Sequence, residues 1–234
     1  QSEVMIQEGA SIIDVGGEST RPGADFVSTQ QELDRVLPIV EAIKSRFDII
    51  VSVDTSTPDV IRSAAALGMG LINDVRALER EGALQASAET NLPICLMHMK
   101  GVPQTMQDQP DYTSVVDDVV EYLMSRVAVC ESVGIDRSRL ILDPGIGFGK
   151  TLSHNLSLLN HTDTLRLLGF EVLMGLSRKT MIGDVLGNPV EERLYGTMGA
   201  NASAYLKGAR IFRVHDVKPH VEMLALISRI EGAI

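Results

Sequence analysis

Seven short apolar runs, each closing on a polar or charged residue and each followed by a helical pattern, limit most tightly what this chain can become. The runs are SIIDVGG (11–17), DIIVSVDT (48–55), GLINDV (70–75), PICLMHM (93–99), LILDPGI (140–146), EVLMGLSR (171–178) and ARIFRVHD (209–216). They are rich in Ile, Val and Leu without clean alternation, as parallel strands buried on both faces require. Strand–helix alternation over 234 residues leaves a TIM barrel or an open doubly wound sheet. The polar ends decide between them: Asp14, Asp54, Asn73 with Asp74, His98, Asp143, Ser177-Arg178-Lys179, and Arg213 with His215. A closed barrel gathers all such ends at one mouth, whereas an open sheet concentrates them at a switch point. The pattern therefore predicts an α/β fold of the (β/α)8 barrel type.

Residues 1–9 (QSEVMIQEG) read as a helix leading into the first run, so the pattern holds seven strands and about eight helices. A barrel that opens on a helix lacks its first strand, and an open seven-stranded sheet would leave two unpaired edges. The expectation is that a strand lies upstream and is absent from the given sequence. Helix starts are read at Thr29 with Glu32 as a capping box, at Thr57-Pro58, and at Asn188-Pro189 with Glu191 at the third position. No low-complexity linker divides the chain, which reads as one domain over 1–234.

Composition excludes several classes. With 44% hydrophobic and 22% charged residues the chain reads as soluble and globular. A net charge of −10 argues against nucleic acid as a partner. No apolar run approaches the roughly 18 residues of a membrane span. Cys95 and Cys130 fall in apolar surroundings and read as buried free thiols of a reducing cytosol, so the expected location is cytoplasmic.

The stretch LILDPGIGFGK (140–150) resembles a nucleotide loop and fails as one. A P-loop needs Gly where Pro144 stands, and the dinucleotide fingerprint needs Gly where Lys150 stands. Asp143, just before the glycines, is then the residue of interest, with Gly145, Gly147 and Gly149 shaping a turn that presents Phe148. Asp54, Asn73 and Asp143 each allow a helix-capping role. Together at one mouth they suit a flat, donor-rich heterocycle. Arg21, Lys179, Arg213 and His215 form a cationic set. The spacing of RVHD (213–216) places Arg213 and His215 on one side of a strand, where a phosphate or pyrophosphate would fit. Lys179 also permits a Schiff base, as in an aldolase. No Cys/His spacing fits zinc. STRPGAD (19–25) and HMKGVPQTMQDQPDY (98–112) read as mouth loops.

IIDVGGESTRPGA (12–24), SVDTSTPDVI (52–61), LINDV (71–75), LMHMKGVPQTMQ (96–107), LILDPGIGFGK (140–150), GLSRKTMIG (175–183) and RVHDV (213–217) resemble, in order and end to end, the bacterial dihydropteroate synthase family. Methyltransferases that use methyltetrahydrofolate share the barrel but lack the STRPG, SRK and RVHD set together. The resemblance implies condensation of 6-hydroxymethyl-7,8-dihydropterin pyrophosphate with p-aminobenzoate, giving 7,8-dihydropteroate and pyrophosphate. It implies that Asp54, Asn73, Met97, Asp143, Gly175 and Lys179 hold the pterin. Arg213 and His215, with Arg21, would take the pyrophosphate. Thr20, Arg21, Pro22, Phe148, Ser177 and Lys179 would take p-aminobenzoate, and Lys179, Asp54, Arg213 and His215 would carry catalysis. Mg²⁺ is the implied cofactor, but the family's metal-contacting Asn lies in a first-strand motif that the sequence does not contain. A homodimer is implied as well. The alternatives are a pterin-binding protein without turnover, a pterin methyltransferase and a Schiff-base aldolase.

Overall fold

The computed structural model describes residues 1–19, 25–101, 106 and 110–233. All seven apolar runs form strands: β1 (Ile12–Gly16), β2 (Ile50–Asp54), β3 (Leu71–Asp74), β4 (Ile94–Met97), β5 (Leu140–Asp143), β6 (Glu171–Met174) and β7 (Ile211–Phe212). They pair in parallel and in chain order, β1 to β7. The register sets site residues side by side: Gly16 pairs with Asp54, Asp54 with Asn73, and Met97 with Asp143. β3 and β4 are buried throughout, which accounts for their unbroken apolar character.

The sheet curls rather than lying open. Arg213, just after β7, reaches Asp14 in β1 across 199 positions of sequence, with Nε 2.6 Å from Oδ2. Such a contact between first and last strands requires the two edges to approach each other. The architecture is that of a TIM barrel with seven strands among the described residues.

Helices α1 (Ser2–Gln7), α2 (Thr29–Lys44), α3 (Pro58–Ala66), α4 (Ala83–Ala88), α5 (Val115–Ser132), α6 (Leu152–Asn160), α7 (Thr162–Leu167), α8 (Thr180–Leu186), α9 (Leu194–Leu206) and α10 (Val217–Glu231) accompany the strands. They pack as neighbours, α2 on α3, α3 on α4, α5 on α6 and α9 on α10. Val36, Val40, Val60, Ile61, Val119, Leu123 and Val127 project from their inner faces into the core beside Ile72, Leu96, Leu142 and Met174. Cys95 and Cys130 are free and buried.

Two helix starts differ from the sequence reading. The cap of α2 is Ser28, whose hydroxyl accepts the Gln31 N–H while Gln31 accepts the Ser28 N–H, one residue before the expected pair. Glu32 is instead buried and accepts the hydroxyls of Thr55 (2.5 Å) and Thr57. A buried carboxylate needs donors more than a helix end needs a second cap. Asn188-Pro189 opens only a short 3-10 turn, Val190–Glu192, and α9 begins at Leu194. Thr57-Pro58 does start α3, although the Thr57 hydroxyl is spent on Glu32.

Candidate active site

Because strand residues alternate between faces, Asn73 and Asp74 point to different surroundings. Asp74 accepts the hydroxyl of Ser56 and the N–H groups of Arg76 and Leu78, both at 2.9 Å. It thereby fixes the loop after β3, where Ala77 and Leu78 have positive φ. Asn73 turns the other way, its Nδ2 3.5 Å from Oδ2 of Asp14. Asp54 and Asp143 end β2 and β5, Asn73 stands one residue before the end of β3 and Asp14 lies within β1, and the four face one mouth.

Arg213 sits across from the first two acids, bonding Asp14 at 2.6 Å and Asp54 at 3.4 Å. Burial, followed by the repulsion of Asp14, pushes the Asp54 carboxyl up to about 7, and Arg213 only partly offsets this. Burial also raises Asp143, against Lys179 and the Gly145 N–H. Burial lowers the Lys179 ammonium to about 8, with Asp143 opposing. For Arg213 burial acts downward, but Asp14 and Asp54 outweigh it and leave the guanidinium more firmly charged. Burial thus favours the neutral forms of Asp54, Asp143 and Lys179, as is common at functional sites.

The glycine turn after β5 is built by close approach. The Gly145 N–H bonds Oδ1 of its own strand's Asp143 at 2.7 Å. Gly145, Gly147 and Gly149 have φ of +66°, +83° and +62°. A Cβ on Gly145 would lie 1.8 Å from the His98 carbonyl oxygen, so no other residue fits there. Lys179 donates to the Ile146 carbonyl and stands 4.6 Å over the Phe148 ring. Phe148, Lys179 and Asp143 are thereby gathered as the sequence led us to expect. Met97 lies buried beside Gly145. At Gly175 an added Cβ would meet only Lys179 Nζ, at 3.8 Å.

The expectation for Arg213 and His215 is corrected. β7 ends at Phe212, so neither residue lies in a strand, and their contacts differ. His215 bonds the Ser177 hydroxyl, which lies 2.8 Å from Nδ1 and accepts the His215 N–H at 3.1 Å. Arg213 turns to the carboxylates. Both remain at the same end of the sheet. Thr20, Arg21 and Pro22 lie outside the described residues.

Four residues have partners that the sequence does not announce. Asp14 holds Arg213, and its Oδ1 is buried with no hydrogen-bond partner among the described residues. Arg178, between Ser177 and Lys179, has φ +57°. It is clamped by Asp216 (2.9 and 2.5 Å), Thr197 and Arg193. Lys150 and His98 are buried and bonded to each other. Asp14, His98 and Arg178 were legible as polar residues closing apolar runs; their partners, and those of Lys150, were not.

The pterin binding enzyme family model matches residues 1–215. Dihydropteroate synthase of Escherichia coli K12 is 51% identical over 226 residues, 97% of this chain and 80% of that protein. The Yersinia pestis dihydropteroate synthase, solved as a sulfonamide drug complex, superposes with a TM-score of 0.97 at 46% identity, covering 99% of this chain and 84% of that one. That of Xanthomonas albilineans, solved with 4-aminobenzoic acid, gives 0.93 at 43%, covering 98% and 82%. An acid-lined barrel mouth of this kind, matched across 215 residues, places the chain in the pterin-binding enzymes. Its activity within that family is the dihydropteroate synthase reaction, a transfer step of folate biosynthesis.

Proposed function

We propose that the residues around the mouth divide the dihydropteroate synthase reaction into three tasks. One observation supports this above all: Asp54, Asn73 and Asp143 lie at or next to the ends of their strands on one side, while Lys179 and Arg213 supply cations facing them. Asp143, Asn73 and Asp54 accept the ring N–H and amino groups of the pterin, with Met97 and Gly175 beside its face and Lys179 donating to its acceptors. Arg213, together with His215, receives the pyrophosphate. Phe148, Ser177 and Lys179, with Thr20, Arg21 and Pro22, form the p-aminobenzoate side.

The bond between the pterin methylene carbon and the pyrophosphate oxygen breaks, and pyrophosphate leaves with the electron pair. The methylene cation is conjugated to the electron-rich ring and flanked by carboxylates. The p-aminobenzoate nitrogen then forms the new carbon–nitrogen bond and loses a proton to solvent. No protein nucleophile is needed, so Lys179 acts by charge and hydrogen bonding.

Mg²⁺, which would offset pyrophosphate charge, does not find a ready cage here. No group of three His, Cys, Asp or Glu among the described residues could hold a metal, and Asp14 and Asp54 already bond Arg213. No step is therefore routed through it. We place the protein in the cytoplasm as a homodimer. Among the described residues no helix is long and apolar enough to cross a membrane, and Leu206, Leu226 and Ile230 of α9 and α10 are exposed. Sedimentation at a monomer's mass would overturn the dimer.

The test is release of pyrophosphate that requires both the pterin pyrophosphate and p-aminobenzoate. Release without p-aminobenzoate, or pterin binding with no release at all, would overturn the assignment. Asp143→Asn is expected to weaken pterin binding with the fold intact, and unchanged affinity would remove Asp143 from the pterin site.

A further inference from the structure

Lys150 has no part in the reaction as described, yet it is an almost wholly buried cation with no carboxylate bonded to it. Burying an ammonium is costly unless its donors are satisfied. It donates to the Gly145 carbonyl (2.8 Å), the Phe148 carbonyl (2.9 Å) and Nδ1 of His98 (2.9 Å), with the His98 carbonyl more distant at 3.4 Å. The His98 ring is held neutral by burial and by Lys150 itself, so its Nδ1 can accept. His98 also joins the strands beneath, its N–H bonding the Asp143 carbonyl at 3.0 Å.

The turn has its polar groups taken one by one. Lys179 takes the Ile146 carbonyl, and Tyr112 donates to Gly149 O at 2.7 Å. Asn155 accepts the Gly147 N–H at 2.8 Å. In a P-loop, backbone N–H groups converge on a phosphate; here carbonyls converge on two ammonium groups. The Asp143 backbone is anchored by its strand pairing with Met97, while its carboxylate meets this turn at the Gly145 N–H. Lys150 holds the carbonyls on either side of the peptide carrying Phe148, whose own N–H bonds the Gly145 carbonyl at 3.1 Å.

We infer that Lys150 is a positioning residue for p-aminobenzoate: by holding the Gly145 and Phe148 carbonyls it sets the Phe148 ring, and its effect falls more on p-aminobenzoate than on the pterin. The inference rests on the reading that Phe148 lines the p-aminobenzoate side. Its test is steady-state kinetics on Lys150→Met, which keeps length and apolar bulk but removes the donors. The KM for p-aminobenzoate should rise about tenfold, and the KM for the pterin pyrophosphate should stay within about twofold. A merely structural lysine would lower the melting temperature, or move both KM values together, and either result without the split overturns the inference. His98→Phe keeps the ring packing against Tyr122 but removes one acceptor, and should show the same split at smaller size. If Lys150→Met does not fold, absence of the split in His98→Phe overturns the inference. Phe148→Ala separates the two layers. A raised p-aminobenzoate KM there beside an unmoved one in Lys150→Met refutes the positioning role alone. No rise in Phe148→Ala refutes the p-aminobenzoate wall itself, and the inference with it.

Discussion

Asp14→Asn should move the acid limb of activity toward lower pH. Asp54 accepts from two pterin donors, and with charge-assisted strength, when ionised, so pterin affinity and kcat/KM fall as pH drops through its proton affinity, which is lifted to about 7. Burial is the larger cause of that lift and Asp14 the next. Both carboxylates contact one guanidinium, at 2.6 and 3.4 Å, so they lie close enough to repel. Removing a neighbouring like charge at such range is worth roughly one pH unit, or about 1.4 kcal/mol. The sign is fixed: without Asp14 the Asp54 carboxylate holds its proton less tightly, and Arg213 is left to Asp54 alone. Both changes favour the ionised form.

The assay is kcat/KM for the pterin pyrophosphate from pH 5 to 9 at saturating p-aminobenzoate, alongside pterin affinity by titration calorimetry. The limb in Asp14→Asn should sit about one unit more acid than in the parent. Because Arg213 is half exposed, its ion pair with Asp14 contributes little to folding, on the order of 1 kcal/mol or less. The melting temperature should therefore barely change. A limb that stays in place, or moves to higher pH, would refute the claim that Asp14 and Asp54 are coupled through the mouth.

Three further outcomes follow from the same geometry. Asp54→Asn should stabilise the fold by up to a few kcal/mol above pH 7 while abolishing tight pterin binding. The raised Asp54 stabilises below its unfolded proton affinity and that stability is lost as pH climbs through about 7, so the gain must vanish below about pH 4 in urea titrations. Gly145→Ala should cost more than about 3 kcal/mol because its methyl meets the His98 carbonyl. Gly134→Ala, at φ +87° with open space around it, should cost only about 1 kcal/mol; equal costs in urea would show that the clash is relieved. Asp216→Asn, by freeing Arg178 from its clamp, should lower kcat/KM about tenfold with an unchanged circular dichroism spectrum, and full activity would show that Arg178 does not orient Ser177 and Lys179.

The strands were legible because their largely buried faces favour Ile, Val and Leu, most clearly in β3 and β4, so each run stands out from the helices around it. Asp54, Asn73 and Asp143 were legible for the same reason, being the first polar residues after apolar runs. Residues whose role comes from distant partners were not. Glu32 reads as a helix cap until Thr55 and Thr57, more than twenty positions away, claim its carboxylate. The RVHD spacing suggests two side chains aimed alike, but β7 stops at Phe212 and the next residues follow Asp14 and Ser177 instead. Packing of α2 on the loop after β2 decides the first, and the approach of the last strand to the first decides the second.

The GIGFGK turn shows what a local pattern can and cannot specify. Its glycines do announce a backbone with positive φ, and that much belongs to any loop that points peptide groups inward at close range. Which peptide atoms point inward is set by the partners. At a phosphate the N–H groups must converge; between Lys150 and Lys179 the carbonyls must. The lysine after the last glycine therefore serves the opposite purpose from the one its motif suggests, donating into its own turn instead of to a nucleotide. Two ammonium groups drawn down by burial, to about 7 at Lys150 and about 8 at Lys179, flank this turn. Loss of either charge should loosen it, so p-aminobenzoate binding should weaken as pH rises through that range, on the side opposite to the limb set by Asp54.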